Sequence, residues 1–412
     1  MIDANMLIGK LPRMLSGDEL MRALRVIPEY DPDLCNQDEA MRLMKLSDLY
    51  DIYLPSAMSV EIYSKLYLAL IRSLQKKASR LAVRQSAENY KAVKQRDYSG
   101  ILGGSDSFTI IGTSGIGKSS AISRAIRLIS GNGIVELEQP CTKIVPCVVV
   151  QCPFDSSVKG LLLEILRQVD EELDTRYYDN AVRARATTDM LIGSVSQVAL
   201  NHIGLLVVDE IQHVVNSKNG KALVGSLTQL INCSGISICM VGTPDSCQFF
   251  EQAMQLARRS LGLNYSELPC NEYFREFCET LYRYQYVKNH MEITEAVIEW
   301  LYEHSAGVIS IVVSLIHDAQ EIAILNGRET LDISALNEAF ERMQMIHTYV
   351  KPAKPRISQV SKPKSKPVVK AASGNNTKET VSIVELVAGA KHGNCDLIDV
   401  LQGHFVIEEV AV

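Results

Sequence analysis

Gly112-Thr113-Ser114-Gly115-Ile116-Gly117-Lys118-Ser119 fits the pattern G-x-x-x-x-G-K-[ST], and its flanks decide the fold. A strand-like apolar run at 108–111 precedes it and a helix-like run at 120–129 follows. That strand, loop and helix order is the setting in which the pattern cradles phosphate. Glycines let successive backbone N–H groups turn inward around an anion, and the positive end of the following helix reinforces them. Lys118 is placed to neutralise β- and γ-phosphate oxygens, and the Ser119 hydroxyl to bind Mg²⁺. The expected nucleotide cradle therefore comprises Gly112, Thr113, Ser114, Gly115, Ile116, Gly117, Lys118, Ser119 and Ser120.

Downstream, Leu205-Leu206-Val207-Val208-Asp209-Glu210 is an apolar run that ends in two acids. A buried strand does not tolerate carboxylates in its middle, so the pair belongs at the strand's end. Behind a phosphate loop, Asp209 is expected to hold Mg²⁺, directly or through water, and Glu210 to orient or deprotonate an attacking water. Ile238-Cys239-Met240-Val241-Gly242-Thr243 is a third buried run ending in a small polar residue. Alone, such a threonine reads as a turn residue. In series with the first two motifs, Thr243 is expected to sense a γ-phosphate or position water. Ala257-Arg258-Arg259 follows in a polar helical stretch. Arginines so far along the chain are expected to serve the nucleotide of a neighbouring subunit, supplying charge to the transition state. The alternative is a solvated helix end.

Around these motifs, short apolar runs at 108–112, 143–152, 205–209 and 236–242 alternate with helical segments. Buried strands separated by helices predict an α/β fold with a central parallel sheet flanked by helices. Residues 1–57 are helix-prone and broken by prolines, and 58–93 read as one or two helices. Residues 273–348 carry apolar stripes at helical spacing and predict a helical lid. Between 72 and 96, Arg72, Lys76, Lys77, Arg80, Arg84, Lys91, Lys94 and Arg96 face a single acid, Glu88. The run reads as a solvated helical face or as a surface for DNA or a neighbouring subunit. Residues 351–370 hold seven basic residues, four prolines and no acid, the composition of a flexible linker. The expected organisation is thus a helical N-terminal region at 1–95, a nucleotide-binding core at 96–265, a lid at 266–350, a linker at 351–380 and a possible docking tail at 381–412.

The 412 residues are 47% hydrophobic and carry a net charge of −6, so a sizeable core is available and any DNA contact must come from local basic surfaces. No apolar run approaches the roughly 20 residues needed to span a bilayer. Ten cysteines are scattered without a C-x-x-C pair and read as reduced, mostly buried thiols of a cytoplasmic protein.

Several of these blocks together resemble a known family, the TnsC-like AAA+ ATPases that regulate transposition in Tn7-like and CRISPR-associated transposons. Gln151-Cys152-Pro153-Phe154-Asp155-Ser156-Ser157-Val158-Lys159-Gly160-Leu161 is similar to its Cys-Pro-x-Asp-x-Ser-x-Lys-Gly-Leu segment. Residues 204–213, ending in Asp-Glu-Ile-Gln-His, resemble its Walker B run, and 241–244 and 257–259 its next two blocks. Residues 302–307 and 319–324 resemble its lid, so the likeness extends over about 53–345. It implies an AAA+ P-loop NTPase that uses ATP and Mg²⁺ and forms a homo-oligomer, ring or filament, on double-stranded DNA. It implies partners of two kinds, transposase subunits and a target selector of the TniQ or TnsD kind, and no membrane. The family's DNA contacts point by position to Lys159 and to Thr175 or Arg176, although Lys159 also reads as an ordinary solvated helix start. Many AAA+ proteins place a nucleotide-contacting arginine in the lid helix after the glycine near 307. Ser310 and Ser314 stand there instead.

The leading expectation is a DNA-binding regulatory ATPase. Two others stay open: an ATP-gated scaffold on DNA that barely turns over, and a remodelling enzyme such as a helicase or loader. The sequence carries no second catalytic constellation of the kind the last would need.

Overall fold

The buried runs become strands of one six-stranded sheet in the computed structural model, which describes residues 4–95, 100–102, 107–131, 133–138, 141–214, 217, 220–247 and 262–343. The strands are β1 (Phe108–Gly112), β2 (Val135–Leu137), β3 (Thr142–Gln151), β4 (Ile203–Asp209), β5 (Ser237–Gly242) and β6 (Leu263–Tyr265). Their spatial order is β2-β3-β4-β5-β1-β6. All pairings are parallel except β2 with β3. Four of the strands lie where the apolar runs predict them. β2 and β6 span three residues each, too short for periodicity to register. The linker at 351–380 and the tail at 381–412 lie outside the described residues.

Parallel strands require crossover segments, and here helices cover both faces. The helices up to β6 are α1 (Ala4–Ile8), α2 (Gly17–Leu24), α3 (Glu39–Lys45), α4 (Asp48–Asp51), α5 (Ala57–Lys77), α6 (Arg80–Gln95), α7 (Lys118–Ser130), α8 (Val158–Leu173), α9 (Tyr177–Arg183), α10 (Thr188–His202) and α11 (Gly220–Ser234). Successive side chains of a strand point to opposite faces. In β4, Leu206 and Val208 accordingly share a core with Ile165 of α8, Val195 of α10 and Leu227 of α11. Leu205 and Val207 share the opposite core with Ile62 and Leu66 of α5 and Ala121 of α7.

The lid consists of the helices Glu272–Tyr282, Glu295–Ser305, Ile309–Leu325 and Ile333–Arg342. The N-terminal residues divide between the two bodies of structure. Leu7, Leu20 and Leu24 join the sheet core through α1, α2 and α5. Leu46, Leu49, Ile52 and Leu54, in and beside α3 and α4, join the lid core with Phe274, Leu315 and Ile316. The buried Arg42 guanidinium fixes that attachment. It donates to both Glu329 carboxylate oxygens, at 2.7 and 2.9 Å, and to the Tyr286 carbonyl at 3.1 Å. A two-pronged ion pair also sets orientation, because the planar guanidinium matches the carboxylate in one geometry.

Of the nine described cysteines, all free, Cys152, Cys233, Cys239 and Cys278 are buried, Cys35, Cys147 and Cys247 are partly buried, and Cys141 and Cys270 are exposed. One sequence expectation changes. Lys77 leaves the basic surface expected over 72–96, whereas Arg72, Arg80, Arg84 and Lys91 remain exposed. Its Nζ donates to the carbonyls of Ala199 and, at 2.7 Å, Leu200, in the last turn of α10. A cation suits the negative end of a helix, and the two carbonyls replace the water that burial removes. No single described helix is long and apolar enough to cross a membrane.

Burial pulls the Lys77 pKa from the ordinary 10.5 down to about 7. Between those values the unfolded chain binds more protons at this position than the folded one. Stability contributed here therefore rises with pH over that window, and the burial penalty is complete below it. Urea unfolding of the Lys77→Met variant should show a flatter change in midpoint between pH 7 and 9 than the parent. An identical slope in the two proteins would remove Lys77 as its source.

Candidate nucleotide site

Strands β4, β5 and β1 are neighbours, with Val208 opposite Met240 and Ile111 opposite Gly242. Parallel strands in register end on one edge, so the phosphate loop after β1, the acids ending β4 and the threonine after β5 meet there. A cavity of about 370 Å³ opens at this edge. Ser114, Gly115, Ile116, Gly117, Lys118, Ser119, Ser120, Asp209, Glu210 and Thr243 all line it. Its size falls within the roughly 300–1,000 Å³ usual for small-molecule sites.

Gly112 and Thr113 lie just outside the lining. Gly112 ends β1 beneath the loop, where a Cβ would come within 2.8 Å of the Tyr265 carbonyl and 2.9 Å of the Ile116 side chain. Thr113 turns to a neighbouring cavity and donates to Glu267 at 2.7 Å. Both residues still shape the site through their carbonyls, which accept from Lys118 Nζ at 2.7 and 2.8 Å. Burial lowers the Lys118 pKa, while the charges of Asp209 and Glu210 act in the other direction.

The remaining geometry tests whether these residues suit a nucleotide with Mg²⁺. Gly115 and Gly117 have φ of +83° and +94°, a left-handed conformation open to glycine that turns loop amides toward one centre. Ser119 Oγ donates to Asp209 Oδ2 at 3.2 Å, bringing together two oxygen ligands of the type that Mg²⁺ prefers. Thr243 Oγ1 is buried with no hydrogen-bond partner among the described residues, and Gln212 Oε1 is in the same condition. An unsatisfied buried polar group costs about 1–3 kcal/mol, so the Thr243 hydroxyl is suited to a partner from beyond the described residues. The residues fit the group.

Glu210 occupies a left-handed turn with φ of +57° directly after the strand. Its N–H donates to Asp209 Oδ1 at 2.8 Å, and its Oε2 accepts from Gln212 Nε2. His213 Nδ1 lies 3.0 Å from the Cys152 carbonyl, and the Cys152 N–H donates to the Asp209 carbonyl at 2.8 Å. The segment 151–161 is therefore tied at its root to the acid pair.

Sequence reasoning missed the rest of the cavity wall. Tyr53, Ser56, Met58 and Ser59 come from the N-terminal residues, and Tyr273, Phe277 and Val313 from the lid. Aromatic and aliphatic walls with a few hydroxyls suit a nucleobase. Each of these residues reads in sequence as ordinary core, and no local spacing links them. Ser310 and Ser314 of the lid also face the cavity.

The proposed DNA-contacting residues do not line it. Lys159 is exposed in the first turn of α8, and Thr175 and Arg176 follow that helix's far end, roughly 20 Å of helix away. Arg176 is exposed, but the Thr175 hydroxyl already donates to Asp170 at 2.6 Å. Arg258 and Arg259 lie outside the described residues.

Residues 104–264 match the family described as Bacterial TniB protein. No curated protein matches the chain. Among solved structures, the Orc1 protein of Aeropyrum pernix in complex with DNA is similar at 15% identity and a TM-score of 0.43, over 62% of this chain and 64% of that one. Drosophila ORC bound to DNA is similar at 12% identity and a TM-score of 0.44, over 97% of this chain and 83% of that one. Domain III of the Thermotoga maritima replication initiation protein DnaA is similar at 16% identity and a TM-score of 0.33, over 67% of this chain and 95% of that one. The present chain thus spans just under two thirds of the Orc1 chain. With its strand order, phosphate loop and flanking helices, it has the α/β fold of a P-loop NTPase.

Proposed function

We propose that this protein is an AAA+ ATPase that binds ATP and Mg²⁺, assembles as a ring or filament on double-stranded DNA, and couples a target selector to a transposase in Tn7-like transposition. One observation carries the ATPase reading: Lys118, Ser119, Asp209, Glu210 and the unpartnered Thr243 hydroxyl converge on one cavity. The transposition reading rests on the sequence resemblance. Its blocks at 151–161, 204–213, 241–244 and 257–259 fall within the stretch that matches Bacterial TniB. On this reading 96–265 is the nucleotide-binding core and 266–350 the lid, with 1–95 contributing to both.

The loop amides and Lys118 bind and orient the terminal phosphates, and Lys118 exchanges the Gly112 and Thr113 carbonyls for phosphate oxygens. Ser119 and Asp209 would hold Mg²⁺, which when bound supplies positive charge against the β- and γ-phosphate oxygens. Glu210 parts from Gln212 and takes a proton from water at its carboxylate. The Thr243 hydroxyl finds its missing partner in the phosphate or that water. Arg258 or Arg259 of a neighbouring copy adds charge where the transition state develops it, so turnover depends on assembly. Lys159 and Arg176, with Thr175 less engaged, meet DNA phosphates.

Three outcomes follow from these roles. Glu210→Gln should lower steady-state hydrolysis by about 100-fold or more while leaving nucleotide affinity intact. Turnover that survives the change would rule out Glu210 as the base. Thr243→Val should cut turnover yet leave the nucleotide-free protein as stable as before or about 1 kcal/mol more so by urea unfolding. Loss of stability would mark the hydroxyl as structural. Binding to duplex DNA in the presence of a slowly hydrolysed ATP analogue should weaken steeply with salt and barely respond to base sequence. A shallow salt dependence would oppose phosphate contact.

A further inference from the structure

The lid touches the phosphate loop at one main-chain bond. The Ser310 N–H donates to the Gly115 carbonyl at 3.0 Å. Ser310 is the second residue of the helix Ile309–Leu325, so its N–H has no acceptor within the helix and is available to an outside partner. The contact is close: a Cβ on Gly115 would lie 2.2 Å from Ser310 Oγ and 2.9 Å from Val308 Cγ1. Gly307 sets the approach. Its φ is +77°, and a Cβ there would lie 2.0 Å from the Leu268 carbonyl, so the turn into the helix accepts only glycine.

Peptide planarity gives this bond a consequence. The Gly115 carbonyl and the Ile116 N–H belong to one planar trans unit and point to opposite sides. A carbonyl held by the lid fixes the plane of that unit, and with it the direction of the N–H of Ile116, which lines the cavity. We infer that Ser310 is a positioning residue: its main-chain N–H orients the Ile116 amide for phosphate, so the lid acts on the nucleotide through the loop's backbone. The chain carries serines where many AAA+ lids carry a nucleotide-contacting arginine, and this bond supplies coupling without a cationic side chain. The inference rests on the proposed nucleotide site and names one of its working parts. It also makes phosphate affinity depend on lid position, because a lid displaced from Gly115 frees that peptide to rotate.

Proline at 310 removes the N–H, and a helix's first turn tolerates it. Alanine at 310 removes only the hydroxyl. The test compares the full-length Ser310→Pro and Ser310→Ala proteins for equilibrium binding of a fluorescent ATP analogue, with thermal unfolding of each in the absence of nucleotide. The expected result is an affinity about tenfold weaker for the proline variant than for the alanine variant, at matched unfolding temperatures. Equal affinities would overturn the inference. Should the proline variant fail to fold, deuterium exchange on the parent protein decides. Exchange over 308–312 slowed without nucleotide, and slowed further together with 114–119 when nucleotide is added, upholds the bond. Unprotected exchange at 308–312 overturns it. Lys118→Ala separates the two levels. Undiminished binding in that variant sinks the nucleotide site itself. Lost binding there, with proline and alanine alike at 310, sinks only the role of Ser310.

Discussion

Parallel pairing of β4, β5 and β1 is the constraint on which the site depends. It places the phosphate loop, Asp209, Glu210 and Thr243 along a single edge, although nearly the whole core separates them in sequence. The edge is polar because a buried strand can carry charge only at its end, where water or a ligand is within reach. β4 is apolar from Ile203 to Val208 and becomes acidic where the sheet stops. The loop after β1 adds the opposite charge. Glycine conformations gather its amides, and the Gly112 and Thr113 carbonyls satisfy Lys118.

The lid and the N-terminal residues complete what the sheet begins. Residues around α3 and α4 pack into the lid, while α1, α2 and α5 pack onto the sheet, so the first sixty residues tie the two together. The Arg42–Glu329 pair holds one of these attachments in a fixed orientation. The apolar wall of the cavity arises where these parts meet, with Tyr53 from the N-terminal residues and Tyr273, Phe277 and Val313 from the lid. The lid therefore meets the cavity in two ways: apolar contact at this wall and the Ser310–Gly115 bond at the phosphate loop.

Much of the fold was legible because its signals are local. Strands β1, β3, β4 and β5 are built on apolar runs, and the phosphate loop is a contiguous pattern flanked by strand and helix. Other features were hidden for specific reasons. β2 and β6 are too short to show a period and exist because a neighbouring strand pairs with them. Lys77 sits in a run of basic residues that reads as solvated, and its burial depends on where α10 ends.

The sequence by itself determined the phosphate loop, the acidic strand end, the alternation that demands a parallel sheet and the helical character of the lid. Each follows from residues adjacent in the chain, whose chemistry acts over one turn or one strand. Only the tertiary structure decided that the N-terminal residues split between sheet and lid, that Tyr53 and Phe277 share a wall, that the Thr243 hydroxyl has no partner among the described residues, and that Ser310 reaches Gly115. These depend on which surfaces meet when the cores close, and contacts between residues so far apart in the chain leave no periodic trace along it.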